Sequence, residues 1–213
     1  MRLTRLQLQA ILYLAGGLWI AALILSGTAL PAGFYRPVGV VIAAVLLVVG
    51  AFETLVWRLR ILHPWFVATP VLRGTWRGEL STMWIDPVTG QPPAPALVFL
   101  VVRQTLSRLS VRLLTQETAS TTLAADICPE PDGVTLMAYV YRNEPPISIQ
   151  SRSPVHRGAA VLRVYGDPAY CLEGDYWTDR DSKGIIRFDG RSRRIHFDYT
   201  TALADTYTTH QSR

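Results

Sequence analysis

LQAILYLAGGLWIAALILSGTAL at residues 8–30 and VGVVIAAVLLVVGAFETLVW at residues 38–57 decide how the rest of this chain is read. The first run has 23 residues and no charge. At the helical rise it would reach roughly 34 Å, enough to cross the hydrocarbon core of a bilayer with some tilt. The second run has 20 residues and one charge, Glu53. Between them PAGFYRP, residues 31–37, ends one helix and starts another with two prolines and a glycine. The pattern predicts a transmembrane helical hairpin over residues 1–63. A signal peptide fits less well, because the first run is long and a second follows at once. A hairpin buried in a soluble protein is the other alternative.

Basic residues set the orientation. Arg2 and Arg5 precede the first run, Arg58 and Arg60 follow the second, and the connecting loop has only Arg36. By the positive-inside rule both chain ends of this multi-pass arrangement lie in the cytoplasm. Phe34, Tyr35, Trp57 and Trp65 suit the two interfaces as aromatic belt residues. Residues 1–63 carry five arginines against Glu53, whereas residues 64–213 carry sixteen basic and fifteen acidic groups. The overall charge of +5 is therefore mostly a membrane-flank signal and argues poorly for binding a nucleic-acid polymer. Cys128 and Cys171 form no metal spacing or disulfide framework and suit a reducing compartment.

Three features stand out inside the spans. Gly17 with Ala21, and Gly39 with Ala43, are small-xxx-small pairs that let helix backbones approach in lipid. They serve packing of the hairpin on itself or packing between copies. Glu53 lies about 7 Å from Arg58 by helical rise. It can reach the interface, pair with Arg58 or Arg60, or act as a functional intramembrane acid.

After a proline-bearing neck at residues 63–71 the pattern changes to strands. Segments 72–85, 96–104, 109–114, 119–128, 134–143, 157–165, 170–178, 184–189 and 193–199 are short, β-branched or alternating, with turn residues between them. Only residues 202–207 hint at a helix. Without helical covers the sheet must bury itself, so residues 64–213 predict an all-β fold, an up-and-down antiparallel barrel of about eight strands. Such a barrel holds side chains or one small ligand.

Catalytic patterns are lacking. His63, His156, His196 and His210 have no metal-ligand spacing to Cys, Asp or Glu, and no nucleophile elbow or phosphate loop occurs. Asp175, Asp179 and Asp181 cluster without the glycine and glutamate of a calcium loop. The reading is a binding protein rather than an enzyme, with no cofactor and no metal. LEGDYWTDRDSKG at residues 172–184 is the densest unusual stretch. In strict alternation Leu172, Gly174, Tyr176, Thr178 and Arg180 share a face, which Leu172 turns inward. That face offers a ring, a hydroxyl and a guanidinium, the groups a nucleotide needs. Alternatively Tyr176 and Trp177 are core and rim, and Arg180 pairs with a nearby aspartate.

The order of motifs resembles a family. It runs from the N-terminal apolar pair through LRGTWRG at 72–78, NEP at 143–145 and SPVHRG at 153–158 to LEGDYWTDRDSKG. This resembles the bacterial anti-phage (CBASS) effectors with two transmembrane segments and a lipocalin-like barrel. The resemblance implies that the barrel binds a cyclic dinucleotide made by a partner nucleotidyltransferase. It also implies that binding drives self-association and breach of the inner membrane. Tyr176, Trp177, Thr178 and Arg180 would belong to the ligand site, with Asn143, Glu144 and His156 near it. A membrane-anchored barrel that carries an apolar ligand, or one filled by its own side chains, is the alternative.

Overall fold

A computed structural model describes residues 5–25, 38–87, 89–151 and 153–209. They form two compact units. One comprises Met1–Ala68 with Thr105–Ser107, the other Thr69–Gln104 with Arg108–Arg213.

The helical unit holds α1 (Arg5–Leu25) and α2 (Val38–Thr54). The expected turn at 31–37 and the end of the first run lie outside the described residues. Among those residues one helical stretch, Val41–Arg58, is long and apolar enough to cross a membrane, and the apolar part of α1, Leu12–Leu25, is shorter. Gly17, Ala21, Gly39 and Ala43 are all exposed on these helices. A side chain built on Gly17 or Gly39 would meet nothing within 4 Å. The half-buried positions of α1 are instead Leu14, Ala15, Leu18, Trp19, Ala22 and Leu23. Beyond α2, two 3-10 turns at Val56–Arg58 and Arg60–Leu62 start the neck. Trp57, expected at a lipid interface, is fully buried, and its backbone carbonyl lies 2.9 Å from His63 Nε2. Trp65 is 67% exposed.

The second unit is built on eight antiparallel strands: β1 (Gly74–Thr82), β2 (Ala96–Gln104), β3 (Leu109–Leu114), β4 (Ser120–Pro129), β5 (Thr135–Asn143), β6 (His156–Tyr165), β7 (Cys171–Thr178) and β8 (Lys183–Ser192). The sheet runs β3-β2-β1-β8-β7-β6-β5-β4. Each strand pairs with its sequence neighbour except across β3 and β4, and β8 returns to β1. This is a nearly closed up-and-down barrel. Beyond one backbone bridge, Leu114 with Ala119, the gap between β3 and β4 is fastened by side chains. Val111 N–H donates to Thr122 Oγ1 at 2.8 Å and Leu113 N–H to Ser120 Oγ at 2.9 Å.

Inward residues of all eight strands form one core, with Trp76, Leu100, Met137, Leu162, Leu172, Ile186 and Phe188 almost wholly buried. The expected ninth strand over 193–199 does not form. β8 runs unbroken to Ser192. After Ser192 the chain bends and enters α3 (Tyr199–Leu203), capped by Asp198, which accepts from Thr201 N–H. Only β9 (Thr208–Thr209) adds two pairs to β8. The sheet therefore does have a helical cover. Ala202, Tyr199, Tyr207 and Ile195 pack on Phe99, Val101 and Leu114, which face outward from β2 and β3. This is why β2 reads as a continuous apolar run: both its faces are buried.

Candidate ligand site at one end of the barrel

The two ends of the barrel differ. At the end where β1 begins, the interior is closed. Arg191 of β8 lies over the Trp76 ring, 4.8 Å from its centroid. Its Nη2 donates to Val71 O at 2.8 Å and Arg73 O at 3.0 Å, and its Nη1 to Ala169 O at 3.4 Å. Burial, then the charge of Arg193, lowers the Arg191 guanidinium to about 10. Gln104 fixes the entering chain from the other side. Its side chain accepts from Leu72 N–H at 2.7 Å and donates to Pro70 O at 2.9 Å. Sequence reasoning left Arg191 without a role. The clue was a tryptophan opening the first strand and an arginine closing the last.

At the opposite end the strands finish in the long β1–β2 and β5–β6 loops. Here the register stacks small and aromatic residues. Tyr139 of β5 faces Ala160, which faces Tyr176, which faces Gly184. One row nearer the rim, Tyr141 faces Gly158, which faces Thr178. A Cβ on Gly158 would lie 2.4 Å from the Tyr141 hydroxyl, and one on Gly184 would lie 2.8 Å from the Tyr176 ring. These glycines are seats for the two rings. Tyr139 and Tyr141 have centroids 5.8 Å apart. Burial is the main cause that pushes the Tyr141 hydroxyl up to about 12, with Tyr176 adding to it and Arg180 opposing it. Tyr139 is raised further, again chiefly by burial. Both hydroxyls are therefore neutral donors at physiological pH.

The rim carries polar groups. The inward parity of Leu172, Tyr176 and Thr178 is present in β7, whereas Arg180 lies beyond the strand in the turn to β8. Asp181 supplies that turn's left-handed residue, φ 59°. Thr178 Oγ1 lies 2.7 Å from Ser182 Oγ. Arg180 is exposed, and its guanidinium reaches back toward Ser153 Oγ and His156 Nε2, each 3.5 Å away. His156 is buried, with Nδ1 3.0 Å from Pro154 O. Asn143, opposite His156 on β5, donates to Thr118 Oγ1 at 3.1 Å and has its Oδ1 buried without a partner.

The structure thus brings Tyr176, Thr178, Arg180, His156 and Asn143 to one end of the barrel. Two other residues named from the resemblance are placed differently. Trp177, by strand parity, is on the outer face and 48% exposed. Glu144 is exposed and pairs with Arg142 at 2.7 Å. Tyr139 and Tyr141 complete this end of the barrel, and no sequence motif pointed to them. Asp179 caps the β6 start, accepting from Arg157 N–H at 3.0 Å. Among the described residues no group of three His, Cys, Asp or Glu side chains could hold a metal ion.

The pattern of the family described as "Cap15, cyclic dinucleotide receptor domain" matches residues 67–189, from the neck to the last strand. CD-NTase-associated protein 15 of Staphylococcus schleiferi is 29% identical over 90 residues, 42% of this chain and 47% of that protein. The match thus spans about half the length of the relative. The family pattern covers more than half of the 213-residue sequence and takes in both the tyrosine-lined interior and the Arg180 turn. The chain therefore belongs to the Cap15 cyclic dinucleotide receptor domain family, the effectors that its motifs resemble.

Proposed function

We propose that this protein is a bacterial anti-phage effector of CBASS signalling whose barrel senses a cyclic dinucleotide made by a partner nucleotidyltransferase. The observation that carries this reading is the family match over the barrel, residues 67–189. The chemistry at the rim supports it. Tyr141 and Tyr176 offer ring faces, Tyr141 adds a neutral hydroxyl donor, and Arg180 offers a charged fork to phosphate. Asn143, His156 and Thr178 add polar contacts, while Trp177 and Glu144 act from the outer side of the rim.

The protein sits in the inner membrane as a two-helix hairpin, residues 1–63, with both termini cytoplasmic. The flanking arginines and the apolar stretch Val41–Arg58 support this. Ligand binding gathers several copies, and their hairpins then breach the membrane. One hairpin is too small to line a wide opening, so the ligand must favour the gathered state. The exposed small residues Gly17, Ala21, Gly39 and Ala43 supply surfaces for close helix contact between copies. The protein acts as a receptor and not as an enzyme.

The test is a thermal-shift screen of the full chain against cyclic dinucleotides and fatty acids, paired with dye release from vesicles. A ligand at a hundred times its Kd adds about 2.7 kcal/mol to native stability, a readable shift. A shift with cyclic dinucleotide, accompanied by release and growth in oligomer size, supports the reading. A shift with fatty acid alone favours the carrier alternative. Release without growth in size rules out gathering.

A further inference from the structure

Glu53 is the acid in the second apolar run, and the functional reading above leaves it unused. We infer that Glu53 is a positioning residue through which the β2–β3 hairpin grips α2 and passes the barrel's ligand response to the helices. The inference rests on the proposed effector function.

The geometry is specific. One carboxylate oxygen, Oε1, accepts from Thr105 Oγ1 at 2.6 Å, from Ser107 N–H at 2.9 Å and from Ser107 Oγ at 2.5 Å. The Glu53 backbone carbonyl accepts from Leu106 N–H at 3.0 Å. Three consecutive loop residues, Thr-Leu-Ser, thus place four donors on one helical residue, with Leu106 buried between the two hydroxyls. Hydroxyl and amide donors to a carboxylate are roughly twice as strong as neutral pairs. A charge beside an apolar helix end needs such partners, because leaving it bare there is costly. An acid in this place is thus held by the protein, not merely tolerated.

Thr105–Ser107 pack with the helical unit, yet Thr105 follows Gln104, the last residue of β2, and Leu109 opens β3. Gln104 also holds the neck at Pro70 and Leu72. Chain continuity joins the barrel to the helices at the neck and again on either side of Thr105–Ser107. The second connection, held on Glu53, is the route by which a shift of β2 and β3 reaches α2.

The experiment uses the full chain in lipid vesicles. The variants are Glu53→Gln, the loop pair Thr105→Val with Ser107→Ala, and Thr105→Ser as the conservative control. Hydrogen exchange at Leu106 and Ser107, read without nucleotide, reports the grip itself. Binding of a cyclic dinucleotide by thermal shift and dye release against its concentration report the response. We expect faster exchange at Ser107 in Glu53→Gln and the loop pair, with nucleotide binding unchanged. The concentration for half-maximal release should rise by about tenfold, within the range for coupling residues. Thr105→Ser should release as wild type does. Unchanged release in both disrupting variants overturns the inference. If wild type neither binds cyclic dinucleotide nor releases dye, the effector reading fails by itself. Exchange then decides the grip: faster exchange supports it, and unchanged exchange overturns it.

Discussion

Each end of the barrel carries an arginine near aromatic rings, and the two differ in what their donors do. Arg191 spends its donors on the carbonyls of Val71, Arg73 and Ala169 and lies on Trp76. Arg180 stands exposed at the opposite rim, and its contacts to Ser153 and His156 are long, 3.5 Å each. An arginine whose two terminal nitrogens are taken by backbone carbonyls closes a structure. One whose fork is nearly empty beside neutral tyrosines is placed for an anion that arrives later. Charge and residue type are the same; the difference lies in the acceptors.

The comparison breaks if Arg191 can be lost without harm. Arg191→Ala leaves three part-buried carbonyls with fewer donors and uncovers Trp76. It should cost on the order of 3 kcal/mol of unfolding free energy, read by denaturant titration. A change below about 0.5 kcal/mol, the scale of an ordinary surface substitution, would place Arg191 outside the closure. Gly158→Val tests the end that carries Arg180. Its Cβ meets the Tyr141 ring and hydroxyl and the Trp177 carbonyl. Overpacking of this kind costs about 1–3 kcal/mol, and the displaced ring should also lower nucleotide affinity. Full affinity in a folded Gly158→Val would separate Tyr141 from the site.

Arg180→Ala should show the reverse of Arg191→Ala. Stability should change little, while cyclic dinucleotide binding should weaken by about 1.5–3 kcal/mol in a calorimetric titration. Tyr176→Ala should weaken both, since its ring is part of the core. Equal affinity of Arg180→Ala and wild type would sink the proposed role of the rim arginine.

The smallest effect concerns the closed end alone. Asp205 accepts from Ser192 Oγ at 2.6 Å and lies 2.8 Å from His196 Nε2. Those two hydrogen bonds, with lesser help from Arg194, hold its carboxyl well below the usual carboxylate range. The folded state therefore binds this proton less readily than the unfolded one. Its contribution is present above the unfolded value, about 3.9, and is lost as pH falls through the folded value. Asp205→Asn should be less stable than wild type near neutrality, and the gap should shrink in acid. A gap independent of pH would show that the carboxylate charge is not what matters.

Much of the barrel was legible in the residues. Apolar runs and alternation delimited β2 and β3 at Ala96–Gln104 and Leu109–Leu114. The parity of β7 came from Leu172. The tail reads as a strand because Ile195 and Phe197 alternate as a strand would, and alternation does not reveal that the chain leaves the sheet after Ser192 to enter α3. Arg191 and Trp76 are joined only by closure of the barrel, which no local pattern encodes. The same holds for Glu53 and its loop. Its charge marked it as unusual, but its donors lie 52 and 54 residues away. At the rim, composition supplied the ring, hydroxyl and arginine. It could not show that Tyr139 and Tyr141 complete the row, because that depends on the β5–β6–β7 register.

The fastening between β3 and β4 has a mechanical consequence. Around the rest of the ring, strands are stitched by backbone ladders; here Ser120 and Thr122 do the stitching with hydroxyls. A hydroxyl can rotate away and find water, whereas a ladder yields only in concert. The circumference of the ring is thus elastic along one line, and a bulky guest would widen it there first. Amide exchange at Val111 and Leu113 should then outpace that at Leu100 and Leu162, and a guest that stretches the ring should widen the difference.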